Sequence, residues 1–183
     1  MAVLYRVFPW LKSADPEEAG GALFVPPQGG GRIDNPGTYS VFYASDDAQG
    51  AVAEAFGRFS EWSPAMLEGS PALPGSVRAL GRYQLANERP VCDLDDPRQL
   101  LELGLRPSDV VTRDYARSRG WARQLYERGE WVGVKWWSYY SPEWCSWGLW
   151  DTAELTLDEV IPLDIGQRAV QGAARVIARR IVR

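Results

Sequence analysis

Six of the nine tryptophans of this 183-residue chain fall between Trp131 and Trp150, in the stretch EWVGVKWWSYYSPEWCSWGLWD. Aromatic and β-branched residues suit the pleated, half-buried surface of a strand, and Ser141, Pro142 and Glu143 interrupt them with turn chemistry. The pattern predicts two strands, Trp131 to Tyr139 and Trp144 to Trp150, paired as a hairpin. Adjacent Trp136 and Trp137 must face opposite sides of a regular strand, and most of these indoles are expected to be core.

The remaining segments supply what the hairpin packs against. Leu4 to Phe8 (LYRVF) reads as a strand, Lys12 to Gly31 as loop, and Thr38 to Ala44 (TYSVFYA) as a buried strand. Ser45 is the expected N-cap of a helix from Asp46 to about Phe59, with Ala48, Ala51, Val52, Ala55, Phe56 and Phe59 on its buried face. Pro64 to Gly75 is loop; Ser76 to Leu85 and Val91 to Leu94 are strands. Pro97 to Leu103 forms a helical turn, and Ser108 to Glu127 contains a helix that Gly120 bends or breaks. A terminal helix is expected over about Gln167 to Arg183, with Val170, Ala174, Ile177 and Ile181 on one face and Arg175, Arg179 and Arg183 on another. Strands and helices do not alternate as in a doubly wound sheet, so the fold class is α+β. With 45% hydrophobic residues, one core and a single domain over residues 1–183 are expected.

Composition narrows the chemistry. A net charge of −4 and a pI near 5.0 argue against nucleic acid as a ligand. No apolar run approaches the roughly 20 residues that span a bilayer, and MAVLYRVFPWLK lacks the segments of a signal peptide, so a soluble, cytoplasmic protein with no membrane association is expected. Histidine is absent and Cys92 and Cys145 are the only cysteines. Common zinc ligand sets and histidine-activated nucleophiles are thereby excluded, and no metal is expected. A Ser-Lys pair of Ser138 with Lys135 is opposed by their i, i+3 spacing on a strand.

Glu54 stands between Gly50 and Gly57, four residues before and three after it on one helix face. Each interior glycine costs about 0.5–1 kcal/mol against alanine, so the pair implies a close approach to the helix there. A solvated glutamate on a closely packed helix is the other reading of the same spacing. The strand carrying Tyr43 runs directly into this helix, and Arg32 lies in the loop that enters the strand. Brought together, the arginine can clamp a diphosphate, the tyrosine can stack on a flat heteroaromatic ring, and the carboxylate can stabilise positive charge developing on a sugar carbon.

The segments GGGRIDNPG, VFYAS, GAVAEAFG and GVKWWSYYSPEW resemble the RES-domain family, named for an arginine, a glutamate and a serine in its pattern. The resemblance runs from LYRVF through the hairpin. It implies a fold related to ADP-ribosyltransferases, with a mixed, split β-sheet, flanking helices and NAD held as substrate in a cleft. It also implies a toxin of a toxin-antitoxin pair that degrades NAD by phosphorolysis or hydrolysis, or transfers ADP-ribose to a protein, with an Xre-type antitoxin as partner. By the same resemblance Arg32 holds the NAD phosphates, Tyr43 packs against nicotinamide, Glu54 bonds the ribose, and Ser138 orients Glu54 or the ribose. Ser141 and Ser146 compete with Ser138 for the serine role, and Ile33 replaces the aromatic residue that many relatives carry after the arginine, which puts ligand contacts at this edge in question. A rival from a different class is a non-catalytic binder that uses the tryptophans as an aromatic platform.

Overall fold

A computed structural model describes residues 1–26, 28–86 and 89–182. The elements are β1 (Ala2–Trp10), β2 (Phe42–Ser45), α1 (Ala48–Phe56), β3 (Glu61–Trp62), β4 (Val77–Leu85), β5 (Cys92–Asp93), α2 (Pro97–Glu102), α3 (Pro107–Val110), α4 (Tyr115–Arg128), β6 (Gly133–Trp137), β7 (Cys145–Leu149), β8 (Leu155–Pro162), α5 (Arg168–Val176) and β9 (Arg180–Ile181). Seven strands form one mixed sheet in the order β5-β6-β7-β2-β1-β4-β8, and β3 and β9 pair in parallel as a second, two-stranded sheet. This is the α+β architecture expected, and β6 and β7 are the antiparallel hairpin.

The two edges of β1 differ. Toward β4 every residue is paired, from Ala2↔Leu85 to Trp10↔Val77. Toward β2 the register contains one pair, Tyr5↔Ser45, so the sheet splits on either side of it. Pro9 fits this arrangement. Its partner Arg78 turns its carbonyl outward to Leu163 N at 2.8 Å, so Pro9 and Arg78 are a pair that exchanges no hydrogen bonds, and the missing N–H of Pro9 falls on the open edge. By strand alternation Val7 points its N–H and C=O the same way.

Pairs directly opposite share a face of the sheet. Trp136↔Ser146, Ser146↔Ser45 and Ser45↔Tyr5 therefore form one row across four strands. That face is covered by helices. Val134 and Trp136 pack with Trp121 and Leu125 of α4, and Val52, Ala53 and Phe56 of α1 pack with Val170, Ala173 and Ala174 of α5. On the other face Leu4, Phe8, Phe42, Tyr83, Trp147 and Leu149 form a third cluster, closed by Ala22 from the loop after β1.

Several elements depart from the sequence expectation. The strand expected over Thr38–Ala44 begins only at Phe42, because Asn35 and Tyr39 bridge each other and the Tyr39 hydroxyl donates to Ile33 O at 2.8 Å, holding a turn. Ser45 ends β2. The cap of α1 is Asp47, which accepts from Gln49 N at 2.6 Å and Gly50 N at 3.3 Å. Helix α1 stops at Phe56, and Phe59 is exposed rather than buried. Gly120 does not break its helix; the break lies at residues 111–114, where Asp114 caps α4 by accepting from Arg117 N.

The terminal helix ends at Val176, and Ala178, with φ of 52°, turns the chain into β9, so Ile181 belongs to a strand. Arg183 lies outside the described residues. Arg179 donates to Gly57 O at 3.1 and 2.7 Å, closing the carbonyl end of α1. Strand β8 was not foreseen: LTLDEVIP is an edge strand with only Leu155 buried, so no clean alternation marks it. None of the helices among the described residues is long and apolar enough to cross a membrane.

Candidate active site

Where β1 and β2 part, a hollow of about 580 Å³ opens. Arg6 and Val7 of β1, residues 28–32 of the glycine loop, Tyr43 and Ser45 of β2, Glu54 of α1, Trp136 of β6 and Ser146 of β7 line it. Tyr115 and Tyr139 also line it, and Tyr139 is 64% exposed. Arg32, Tyr43 and Glu54 thus border one cavity. Ser138 reaches it through Glu54.

The Ser138 hydroxyl donates to Glu54 Oε1 at 2.6 Å and accepts from Tyr140 N at 3.2 Å, so its one proton is committed to the carboxylate. The Ser146 hydroxyl donates to the same oxygen at 3.1 Å. Ser141 instead accepts from Glu143 N within the turn. Two of the three hairpin serines therefore meet Glu54. Sequence reasoning held Ser146 only as an alternative to Ser138; that both meet Glu54 follows from the register of Ser146 opposite Trp136 and Ser45.

The glycines beside Glu54 do mark a close approach, though not by a ligand. A side chain at Gly50 would collide with Ser45 Oγ and press on Trp144, and one at Gly57 would collide with the ring of Tyr140. Trp144 and Tyr140 both belong to the turn between β6 and β7. The helix face is covered by the hairpin, and the glycines let the hairpin sit close enough for Ser138 and Ser146 to touch Glu54.

Buried Asp34 organises the glycine loop. It accepts from Gly29 N at 2.9 Å, Gly31 N at 2.6 Å and the Tyr43 hydroxyl at 2.6 Å. Arg119 holds the loop from the other side, donating to Gly29 O at 2.7 Å and Gly31 O at 3.0 Å. These two amides are turned toward Asp34, so they cannot cradle a phosphate as a P-loop does. Burial, reinforced by the hydrogen bond and charge of Asp34, raises the Tyr43 pKa well above its ordinary value and keeps the phenol neutral.

The positive charge that borders the hollow comes instead from guanidinium groups. Arg32 donates through Nη1 to Val110 O at 2.9 Å and Thr112 O at 2.5 Å, and stacks over Tyr115 at 5.6 Å. Arg6 donates to Phe24 O at 2.9 Å and lies 4.5 Å from the Phe42 ring centroid. Burial lowers its pKa, opposed by the hydroxyl of Tyr83. Neither arginine forms an ion pair among the described residues. Sequence reasoning missed Arg6; the available signal was a charge on the same alternating face as Leu4 and Phe8.

Trp131, Trp136, Trp144 and Trp147 are buried, in line with a core role for most of the indoles, and Trp136 also floors the hollow. Ile33 is fully buried against Gly148 and does not line the hollow, so an aliphatic residue after the arginine removes no wall. Lys135 is paired with Asp93 at 2.7 Å. No group of three or more His, Cys, Asp or Glu side chains gathers as a metal site among the described residues.

A family model described as the RES domain matches residues 3–170. No curated protein matches the sequence significantly. The fold is similar to that of a chain in the crystal structure of the M. tuberculosis MbcT-MbcA toxin-antitoxin complex, with a TM-score of 0.64 at 17% identity, over 97% of this chain and 89% of that chain.

Proposed function

Because the chain belongs to the RES-domain family, we propose that it is the toxin of a toxin-antitoxin pair and cleaves the bond between nicotinamide and ribose in NAD, by phosphorolysis or hydrolysis. One observation carries the reading. Two arginines without carboxylate partners and one carboxylate held by two hydroxyls border a single hollow. That charge pattern complements a diphosphate joined to a cationic ring, and about 580 Å³ lies within the roughly 300–1,000 Å³ usual for ligand pockets.

In this reading Arg6 and the donors of Arg32 that face the hollow hold the diphosphate. The ring of Tyr43 packs against nicotinamide, whose carboxamide finds the open-edge N–H and C=O of Val7. Glu54 meets the ribose and stabilises the cation forming at its anomeric carbon. The bond from that carbon to the ring nitrogen breaks, and its electron pair neutralises the ring as nicotinamide leaves. A phosphate oxygen, or a water oxygen that releases its proton to solvent, completes the new bond. A leaving group that departs neutral needs no proton, which is how a chain without histidine can run this reaction.

NAD as substrate and an Xre-type antitoxin as partner belong to this proposal, as does a cytoplasmic location, where both would be met. Burial of most tryptophans leaves the aromatic-platform alternative little surface. Purified protein is expected to release nicotinamide from NAD; mass spectrometry then separates a phosphorylated ADP-ribose from free ADP-ribose. Labelled protein bands after incubation with labelled NAD and cell extract would assign ADP-ribose transfer instead. NAD left intact with and without phosphate overturns the enzymatic reading.

A further inference from the structure

We propose that Ser146 is a positioning residue for Glu54, acting with Ser138 to saturate one carboxylate oxygen so that the other alone faces the substrate; this rests on the NAD-cleaving reading above. Glu54 projects from an exposed helical position on a side chain with three rotatable torsions. A single donor would leave its carboxylate free to swing about that one bond. Two donors from different places on the hairpin, Ser138 just past β6 and Ser146 within β7, fix both the position and the plane of the group.

Ser146 is the more rigid of the two. Its backbone lies in a central strand, paired to Trp136 on one side and Ser45 on the other, and the residue is 6% exposed. A buried hydroxyl in a strand commonly donates to a nearby carbonyl, as Ser45 does to Cys145 O at 3.0 Å. Ser146 spends its proton on Glu54 instead. A carboxylate oxygen accepts about two hydrogen bonds, so Oε1 is filled and Oε2 is left for a ribose hydroxyl or the developing cation. The hollow thus receives one oxygen in one direction rather than a mobile pair.

The test uses the full chain with NAD and phosphate. Ser146→Ala is expected to lower kcat about tenfold, the loss of one hydrogen bond to a charged group, with KM within about twofold. Ser146→Thr, which keeps the hydroxyl, is expected to return kcat to within about threefold of the parent. A melting temperature that falls with kcat unchanged would assign Ser146 a merely structural role, and a rise in KM alone would make it a ligand contact; either overturns the proposal. If the added methyl of threonine prevents folding, Ser138→Ala and the double alanine variant decide: two donors to one oxygen act as a unit, so the combined effect departs from the product of the single effects by about threefold or more. Simple multiplication overturns the proposal. A parent without NAD turnover sinks the functional reading first. Crystal structures then judge Ser146 by itself, with the Glu54 carboxylate expected in one orientation in the parent and in a rotated or doubled one in Ser146→Ala. An unmoved carboxylate overturns it.

Discussion

Strand β1 carries a closed seam and an open one. Against β4 it forms nine consecutive pairs, and Leu4 and Phe8 bury themselves beside Tyr83 and Leu85. Against β2 it forms the single pair Tyr5↔Ser45, and beyond that pair the backbone of Val7 and the side chain of Arg6 face a hollow. The closed seam satisfies its polar groups internally and contributes stability. The open seam leaves the Val7 backbone outside the β1–β2 pairing and a half-buried guanidinium without a carboxylate partner among the described residues, an arrangement that costs free energy unless water or a ligand completes it. In the proposed function, binding capacity comes from hydrogen bonds the sheet does not make.

The separation of roles can be broken most severely at Glu54. Glu54→Gln keeps the shape and removes the charge; turnover of NAD is expected to fall about a thousandfold, with the melting temperature within a few degrees. Turnover within a few-fold of the parent would remove Glu54 from catalysis. On the closed seam the reverse is expected. Leu4 is fully buried, so Leu4→Ala should cost about 2–5 kcal/mol in urea unfolding while kcat stays within twofold under folding conditions. A kcat that drops along with stability would mean that the seams are not separable.

Arg6 lies between the two behaviours, since it shares a face with Leu4 and Phe8 yet borders the hollow. A desolvated guanidinium without a carboxylate partner adds little to stability. Arg6→Met is therefore expected to raise KM for NAD about tenfold while unfolding free energy stays within about 1 kcal/mol. A large loss of stability with unchanged KM would move Arg6 to the closed seam.

The legible part of the site is the part that is continuous in sequence. Arg32, Tyr43 and Glu54 lie in one loop-strand-helix run, so their convergence on one cavity follows from local order. Ser138 was reached through family resemblance, and its 2.6 Å bond to Glu54 shows how the hairpin brings it there. Arg6, Val7 and Ser146 owe their positions to which strand lies beside which and in what register. Nothing in LYRVF tells that one edge of its strand will be left unpaired, and nothing in CSWGL tells that its serine will lie opposite Trp136. Strand β8 was hidden for a different reason: Asp158 and Glu159 interrupt an exposed edge, and Asp158 binds Arg82 at 2.7 Å across the ladder rather than packing inward.

Gly50 tests whether helix and hairpin are as tightly joined as the Glu54 contacts require. In an isolated helix Gly50→Ala would stabilise by about 0.5–1 kcal/mol. Here the new methyl meets Ser45 Oγ and the Trp144 side chain, and overpacking of this kind costs about 1–3 kcal/mol. The net expectation is a loss of about 1 kcal/mol in urea unfolding. A fall of a few-fold in kcat should accompany it, because a hairpin pushed off α1 carries Ser138 and Ser146 away from the carboxylate. A variant more stable than the parent would show that the helix accepts a side chain without displacing the hairpin. The two serine contacts would then not be enforced by packing, and the open seam would lose the feature that distinguishes it from an ordinary gap in a sheet.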